Sequence, residues 1–226
     1  ELVDNELERV NKLMSTYDPE SEISQLNRAD ANQPVSLSAD TIAVLHESMR
    51  LFKASQGAFD VTVGPLVNLW GFGPDGRVTT QPSQAQIDDT REFVGTSLLD
   101  VRGNNVMKAD ARVYVDFSSI AKGYGVDRVA NLLESLGINN YLVEVGGELR
   151  FSGGKPNGGQ WSVAIEKPVT DRREVQVIVK PKNLAMATSG DYRNYFEEDG
   201  VRYSHTIDPR TGKPISHKLA SITVLH

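Results

Sequence analysis

Cysteine is absent from the sequence. That absence excludes disulfides, thiolate nucleophiles and cysteine-based zinc sites. It also fits an oxidising compartment, where a stray thiol is a liability. No apolar run approaches the ~20 residues that a membrane-spanning helix needs. No signal peptide is recognisable, and a cleaved one would leave no trace. Runs of Lys and Arg are missing too, with a net charge of −6 and an isoelectric point of about 5.3. An acidic chain without a basic patch is a poor partner for nucleic acid. Neither an internal repeat nor a low-complexity segment interrupts it. What is present is ordinary for a globular protein: 39% hydrophobic and 24% charged residues. The 226 residues are enough to bury a sizeable core.

Helical periodicity comes first along the chain. Leu2, Leu7, Val10, Leu13 and Met14 recur near helical spacing, ending before Pro19. A short helix is expected over "ESEISQLNRA", with Ile23 and Leu26 on one face. In "SADTIAVLHESMRLFKASQG", Ser38 can cap a helix whose apolar stripe is Ile42, Leu45, Met49 and Phe52, and Gly57 ends it. The stretch from Pro74 to Pro82 reads as a loop, and "SQAQIDDTREFVG" as a weaker helix.

From Val106 onward strands dominate. "NVMKA" and "RVYVDF" read as a hairpin pair, followed by a helix carrying Val126, Val129, Leu133 and Leu136 and closed by Gly137. "NYLVEVGG" reads as a buried strand ending in two glycines. "QWSVAIEK" points Trp161, Val163 and Ile165 inward, and "EVQVIVKP" repeats that alternation. "NLAMATSG", "VRYSHTID" and "ASITVLH" are further strands. Helices first and hairpins later predict an α+β fold, with mixed or antiparallel sheets and packed helices, not a doubly wound Rossmann fold. The 226 residues are read as a single domain.

Several stretches carry residues suited to chemistry. "DFSSIAKGYGVD", Asp116 to Asp127, places an Asp, two Ser, a Lys and two Gly where a strand hands over to a helix. Such a junction offers free N–H groups and a positive dipole end, which suit a phosphate. Lys122, about two turns inside that start, can reach back toward an anion, and Asp116 can orient a hydroxyl or a hydrated cation. An N-cap at Asp116 or Ser118 beside a solvated lysine explains the same pattern. No Walker A loop is present.

"GAFDVTVGPLVNLWGFG" sets Phe59, Trp70 and Phe72 among glycines, either framing a flat heterocycle or simply filling a core. "VEVGGELR" permits close backbone approach at Gly146 and Gly147. "ATSGDYRNY" offers the Thr188 and Ser189 hydroxyls, with Arg193 nearby. "YSHTIDPRTGKP" places His205, Thr206 and Asp208 before a turn set by Pro209 and Gly212. Together these suit a phosphate-bearing ligand with a planar ring, and a divalent cation.

In order along the chain, "MSTYDPESEISQLN", "GAFDVTVGPLVNLWGFG", "VDFSSIAKGYGVD", "YLVEVGGELR", "ATSGDYRNY" and "HTIDPRTGKP" resemble the ApbE family, the FAD:protein FMN transferases. The resemblance implies an ApbE-like fold. It also implies a magnesium-dependent enzyme that splits FAD, attaches FMN to a Thr or Ser hydroxyl of a target protein and releases AMP. The implied targets are subunits of flavin-dependent redox pumps of the sodium-translocating NADH:quinone oxidoreductase type. The implied setting is the periplasmic side of the bacterial inner membrane, through an N-terminal lipid anchor outside this sequence.

On the same footing, Tyr17 is a flavin-ring contact. Ala58, Phe59 and Asp60 belong to the FAD pocket, Asp116 and Lys122 contact FAD directly, and Thr206 and Ile207 line the same pocket. The Ser119 carbonyl is a magnesium ligand. His205 is the candidate for proton transfer, with Asp116 and Lys122 as the other catalytic candidates. The family pattern also contains an N-terminal strand before the first helix. Beyond "SITVLH" it contains a strand-to-helix segment with an Asp and, four residues on, a Thr that complete the metal site. Neither segment is in the sequence, so the expected boundaries are those of a core trimmed at both ends. Two other activities suit the same pocket: an FAD pyrophosphatase with water as acceptor, and flavin binding without catalysis.

Overall fold

Ser21, Ser38 and Ser83 each accept the backbone N–H three residues on, and a helix starts after each of them. The computed structural model describes residues 1–73, 80–169, 172–190, 195–198, 200–217 and 219–226. The expected loop residues 74–79 and Arg193 lie outside these described residues. The first elements are α1 (Leu2–Met14), α2 (Glu22–Arg28), β1 (Val35–Ser36), α3 (Ala39–Ala54), α4 (Gly64–Leu69) and α5 (Gln84–Arg91). Next come β2 (Leu99–Arg102), β3 (Asn105–Lys108) and α6 (Ala121–Ser135). The strands β4 (Tyr141–Val145), β5 (Glu148–Ser152), β6 (Val163–Glu166), β7 (Val175–Val179) and β8 (Ala185–Gly190) follow. The last are β9 (Tyr195–Glu198), β10 (Val201–Ser204), β11 (Ile207–Asp208), β12 (Lys213–Pro214) and β13 (Ser221–Leu225). Every strand pair among the described residues is antiparallel, so the expected α+β class holds.

The chain divides into two compact units. One comprises Glu1–Glu8, Lys122–Asn194 and His217–His226. Its sheet runs β13-β8-β5-β4. Val126, Val129 and Ala130 of α6 pack on Tyr141 and Val143 of β4, with Val3 and Leu7 of α1 beside them. Arg150 of β5 ties the helix down through Asp127 (3.0 Å), Asn131 (3.2 Å) and Glu134 (3.2 Å). Leu149, Phe151 and Met186 form a second cluster with Trp161, Val163 and Ile165, as their alternation predicts. β7 departs from expectation: Val175, Val177 and Ile178 are exposed, and only Val179 joins the cluster. The physical reason is that β6 and β7 form an isolated two-stranded ribbon with a register shift at Ile165/Glu166. β6 faces the core and its partner does not.

The other unit comprises Arg9–Ala121 and Tyr195–Ser216. Here "RVYVDF" is no partner of "NVMKA". β3 pairs with β2 on one side and β1 on the other, so neither edge is open to it. Residues 113–117 are instead an extended, buried segment held by side chain and loop. Asn27 donates Nδ2–H to Val115 O (2.9 Å) and accepts Val115 N–H (2.8 Å). Asp116 N–H reaches Val61 O at 2.7 Å. Val113, Val115 and Phe117 are fully buried, so their alternation reported burial and not strand pairing. "VRYSHTID" likewise splits into β10 and β11, with His205 and Thr206 between them.

Candidate active site

The loop after α3 carries three of the expected residues. Ala58 is exposed, Phe59 half-buried and Asp60 only 6% exposed. Burial of an ionised carboxylate demands hydrogen bonds, and Asp60 has four. Oδ1 accepts Thr62 N–H (2.8 Å), Thr62 Oγ–H (2.7 Å) and Thr96 Oγ–H (2.7 Å), and Oδ2 accepts Thr96 N–H (3.1 Å). Thr62 Oγ also accepts Gly95 N–H at 2.7 Å. The carboxylate thus pins its loop to the turn at Thr96. A cavity of about 470 Å³ opens beside it, with Gly57, Gly95, Pro209 and Arg210 in its lining. That volume falls in the range of small-molecule sites.

Asp116 sits across from this loop. Gly64, the first residue of α4, approaches so closely that a Cβ there would lie 2.8 Å from Tyr114 Cδ1 and 3.5 Å from Asp116 Cβ. Asp116 Oδ1 accepts both the N–H (2.7 Å) and the hydroxyl of Ser118. Phe117 O accepts Ile120 N–H (2.8 Å) and Ala121 N–H (2.7 Å). The junction is therefore a capped turn with Ser118 and Ser119 exposed at its tip. The Asp116 carboxylate and the Ser119 carbonyl are hard oxygen donors on that turn. They suit Mg²⁺, which takes one or two carboxylates beside phosphate oxygens and waters. Among the described residues no group of three His, Asp or Glu side chains is placed to hold a metal.

Lys122 departs from its expected place. The capped turn delays the helix to Ala121, so Lys122 is its second residue and not two turns inside. Its ammonium points to the β4–β5 turn, donating to Glu148 Oε1 at 3.0 Å and Gly146 O at 3.3 Å.

His205, Thr206 and Ile207 belong to the chain joining β10 to β11. The His205 ring is half-buried and meets Phe72 edge-on at 6.3 Å. Thr206 donates its N–H to Ser204 Oγ (3.1 Å) and accepts Ile215 N–H (2.9 Å). Ile207 is buried with Leu66, Trp70 and Ile87. Trp70 stacks on Tyr203 at 5.7 Å and donates Nε1–H to Gly212 O at 2.8 Å.

Gly212 has φ +69°, and a Cβ there would come 2.6 Å from Ile87 Cγ2 and 2.9 Å from Arg91 Cδ. Gly212→Ala combines left-handed backbone strain with overpacking, so it should destabilise the protein by about 2–3 kcal/mol. Urea unfolding checks this. In the same turn Arg210 donates to both carboxylate oxygens of Asp208 (2.9 and 2.8 Å), holding that carboxyl below its ordinary pKa. A lowered folded pKa contributes stability above the unfolded value, near ~3.9, and loses it as pH falls through the folded value. Asp208→Asn should therefore cost about 1 kcal/mol or less at neutral pH, since Arg210 is half exposed. The cost should vanish in acid, as urea unfolding at pH 7 and near pH 2 would show.

Tyr17 lies on the α1–α2 turn with 76% of its surface exposed. The unit of Arg9–Ala121 and Tyr195–Ser216 thus holds Tyr17, Ala58, Phe59, Asp60, Asp116, Ser119, His205, Thr206 and Ile207, while Lys122 belongs to the other. Within it α4 is the common support: its start meets Asp116 and its buried face meets Ile207. Thr62, Thr96, Arg210 and Glu148 were not singled out for roles by the sequence. Only Glu148 carried a signal, the glycine pair before it.

The fold is antiparallel α+β, with a capped turn leading into α6. The chain belongs to the ApbE family, whose model matches residues 1–226. The solved flavin transferase ApbE from Vibrio cholerae matches with a TM-score of 0.91 at 49% identity, over 100% of this chain and 72% of that one. The apo flavinyl transferase ApbE from Pseudomonas stutzeri matches at 0.90 and 42%, over 100% and 70%. Among curated relatives, the FAD:protein FMN transferase of Vibrio cholerae is 51% identical over 99% of this chain and 67% of its own length. That of Haemophilus influenzae is 51% identical over 97% and 65%. The chain spans about two thirds of the length of these relatives.

Proposed function

We propose that the protein is an FAD:protein FMN transferase, on the strength of its similarity over nearly the whole chain to enzymes of that name. A Ser or Thr hydroxyl of the acceptor attacks the FMN-side phosphorus of FAD. A new P–O bond forms, the pyrophosphate P–O bond to AMP breaks, and AMP leaves with the bonding electrons. His205 takes the hydroxyl proton. Tyr17 packs on the flavin ring, the Ala58–Asp60 loop and Thr206–Ile207 line the pocket, and Asp116 and Lys122 contact FAD, Lys122 through its phosphates. Asp60 serves the pocket as its anchor, since its carboxylate oxygens are engaged by Thr62 and Thr96.

Mg²⁺, held at the Ser119 carbonyl and Asp116, supplies Lewis-acid neutralisation of phosphoryl charge when bound. The proposed acceptors are subunits of redox pumps of the sodium-translocating NADH:quinone oxidoreductase type. The proposed setting is the periplasmic face of the inner membrane, reached by a lipid anchor. FAD titration with and without Mg²⁺ tests the binding half of this reading. Saturable FAD quenching that strengthens with Mg²⁺ is expected, and no FAD binding would refute it.

A further inference from the structure

We infer that Glu148 is a positioning residue for Lys122, and that the β4–β5 turn is the holder that aims its ammonium. The inference rests on the reading of Lys122 as a phosphate contact. Lys122 Nζ lies 3.0 Å from Glu148 Oε1, 2.9 Å from Oε2 and 3.3 Å from Gly146 O. A lysine stem has four rotatable carbons and no preferred heading of its own. Here the stem lies along the turn: a Cβ on Gly146 would fall 2.8 Å from Lys122 Cδ and 3.7 Å from Cγ. Glycine at 146 is thus required twice, for its φ of +58° and for the room the lysine occupies.

Glu148 is the less exposed partner, at 18% against 48% for Lys122. Its Oε2 is buried and takes no directed hydrogen bond among the described residues, although the ammonium is within ion-pair distance. Buried carboxylate oxygens normally have their lone pairs filled. A half-exposed ion pair adds little stability, so stability alone does not account for this geometry. Its effect is to fix the direction of one positive charge. A phosphate arriving at Lys122 replaces the weak Gly146 carbonyl contact, while Glu148 keeps the ammonium in line.

Glu148→Gln keeps the shape and removes the charge. It also removes an anion from beside the incoming phosphates, so FAD should bind no more weakly than to wild type. FMN transfer at saturating FAD and Mg²⁺ should fall roughly tenfold or more, as for a lost orienting contact. Lys122→Ala should weaken FAD binding roughly 10–100-fold. In that background Glu148→Gln should change neither quantity, because the residue it positions is gone. Glu148→Asp, with the charge restored, should recover part of the rate, and matching circular dichroism excludes misfolding. An equal loss of rate with and without Lys122 would overturn the positioning role, as would a Glu148→Gln rate equal to wild type. Wild-type binding and transfer in Lys122→Ala would overturn the phosphate role of Lys122 itself.

Discussion

Replacing His205 by alanine should slow FMN transfer on the order of 10²–10⁴-fold, the span lost with a general base, and leave FAD binding within a fewfold of wild type. The backbone on either side is independently held, by Ser204 Oγ at Thr206 N–H and by Thr206 O at Ile215 N–H. Loss of the imidazole therefore removes its ring contact with Phe72 without releasing the turn. Single-turnover transfer measures the rate and an FAD titration the affinity. A rate within threefold of wild type would remove His205 from the chemistry.

Asp60→Ala should be the most destabilising substitution among these, at about 3–4 kcal/mol by urea unfolding. The change strips the acceptor from the N–H and hydroxyl of both Thr62 and Thr96 in a site from which water is largely excluded. Asp60→Asn should recover part of this, because the amide oxygen still accepts while its NH₂ opposes a donor. FAD affinity should fall with stability as the Ala58–Asp60 loop loosens from Thr96. A loss below about 1 kcal/mol would mean that the network contributes little and that the loop is held by its packing.

Helices α1, α2, α3, α5 and α6 were legible in the sequence, because their signals are local. Ile23 and Leu26 share the buried face of α2, and Ser38 caps α3 as expected. The six-residue α4 was not legible, since no side chain caps it. Strand pairing was less legible. Val113, Val115 and Phe117 alternate in "RVYVDF" and are buried as strand residues would be, yet periodicity carries no information about which edge is free, and the expected hairpin does not form. The same limit applies to β7, whose apolar residues face outward because its ribbon has one covered strand.

In the site, the capped turn at Asp116 was legible, since an Asp two residues before a Ser is a local motif. The Asp60–Thr96 anchor and the Lys122–Glu148 pair were not. They join positions 36 and 26 residues apart, and only the folded chain brings them together. Lys122 was misplaced for a related reason, because the Asp116 cap consumes residues that a simple reading assigns to the helix.

Transfer of FMN from FAD onto a protein hydroxyl is tested by mixing the protein with FAD, Mg²⁺ and an acceptor subunit of the sodium-translocating NADH:quinone oxidoreductase type, followed by intact-protein mass spectrometry and AMP quantification. The acceptor should become heavier by one FMN less water, with one AMP released per adduct and no adduct when the acceptor's target Ser or Thr is replaced by alanine. Free FMN and AMP with an unmodified acceptor, or FAD recovered intact, would contradict it.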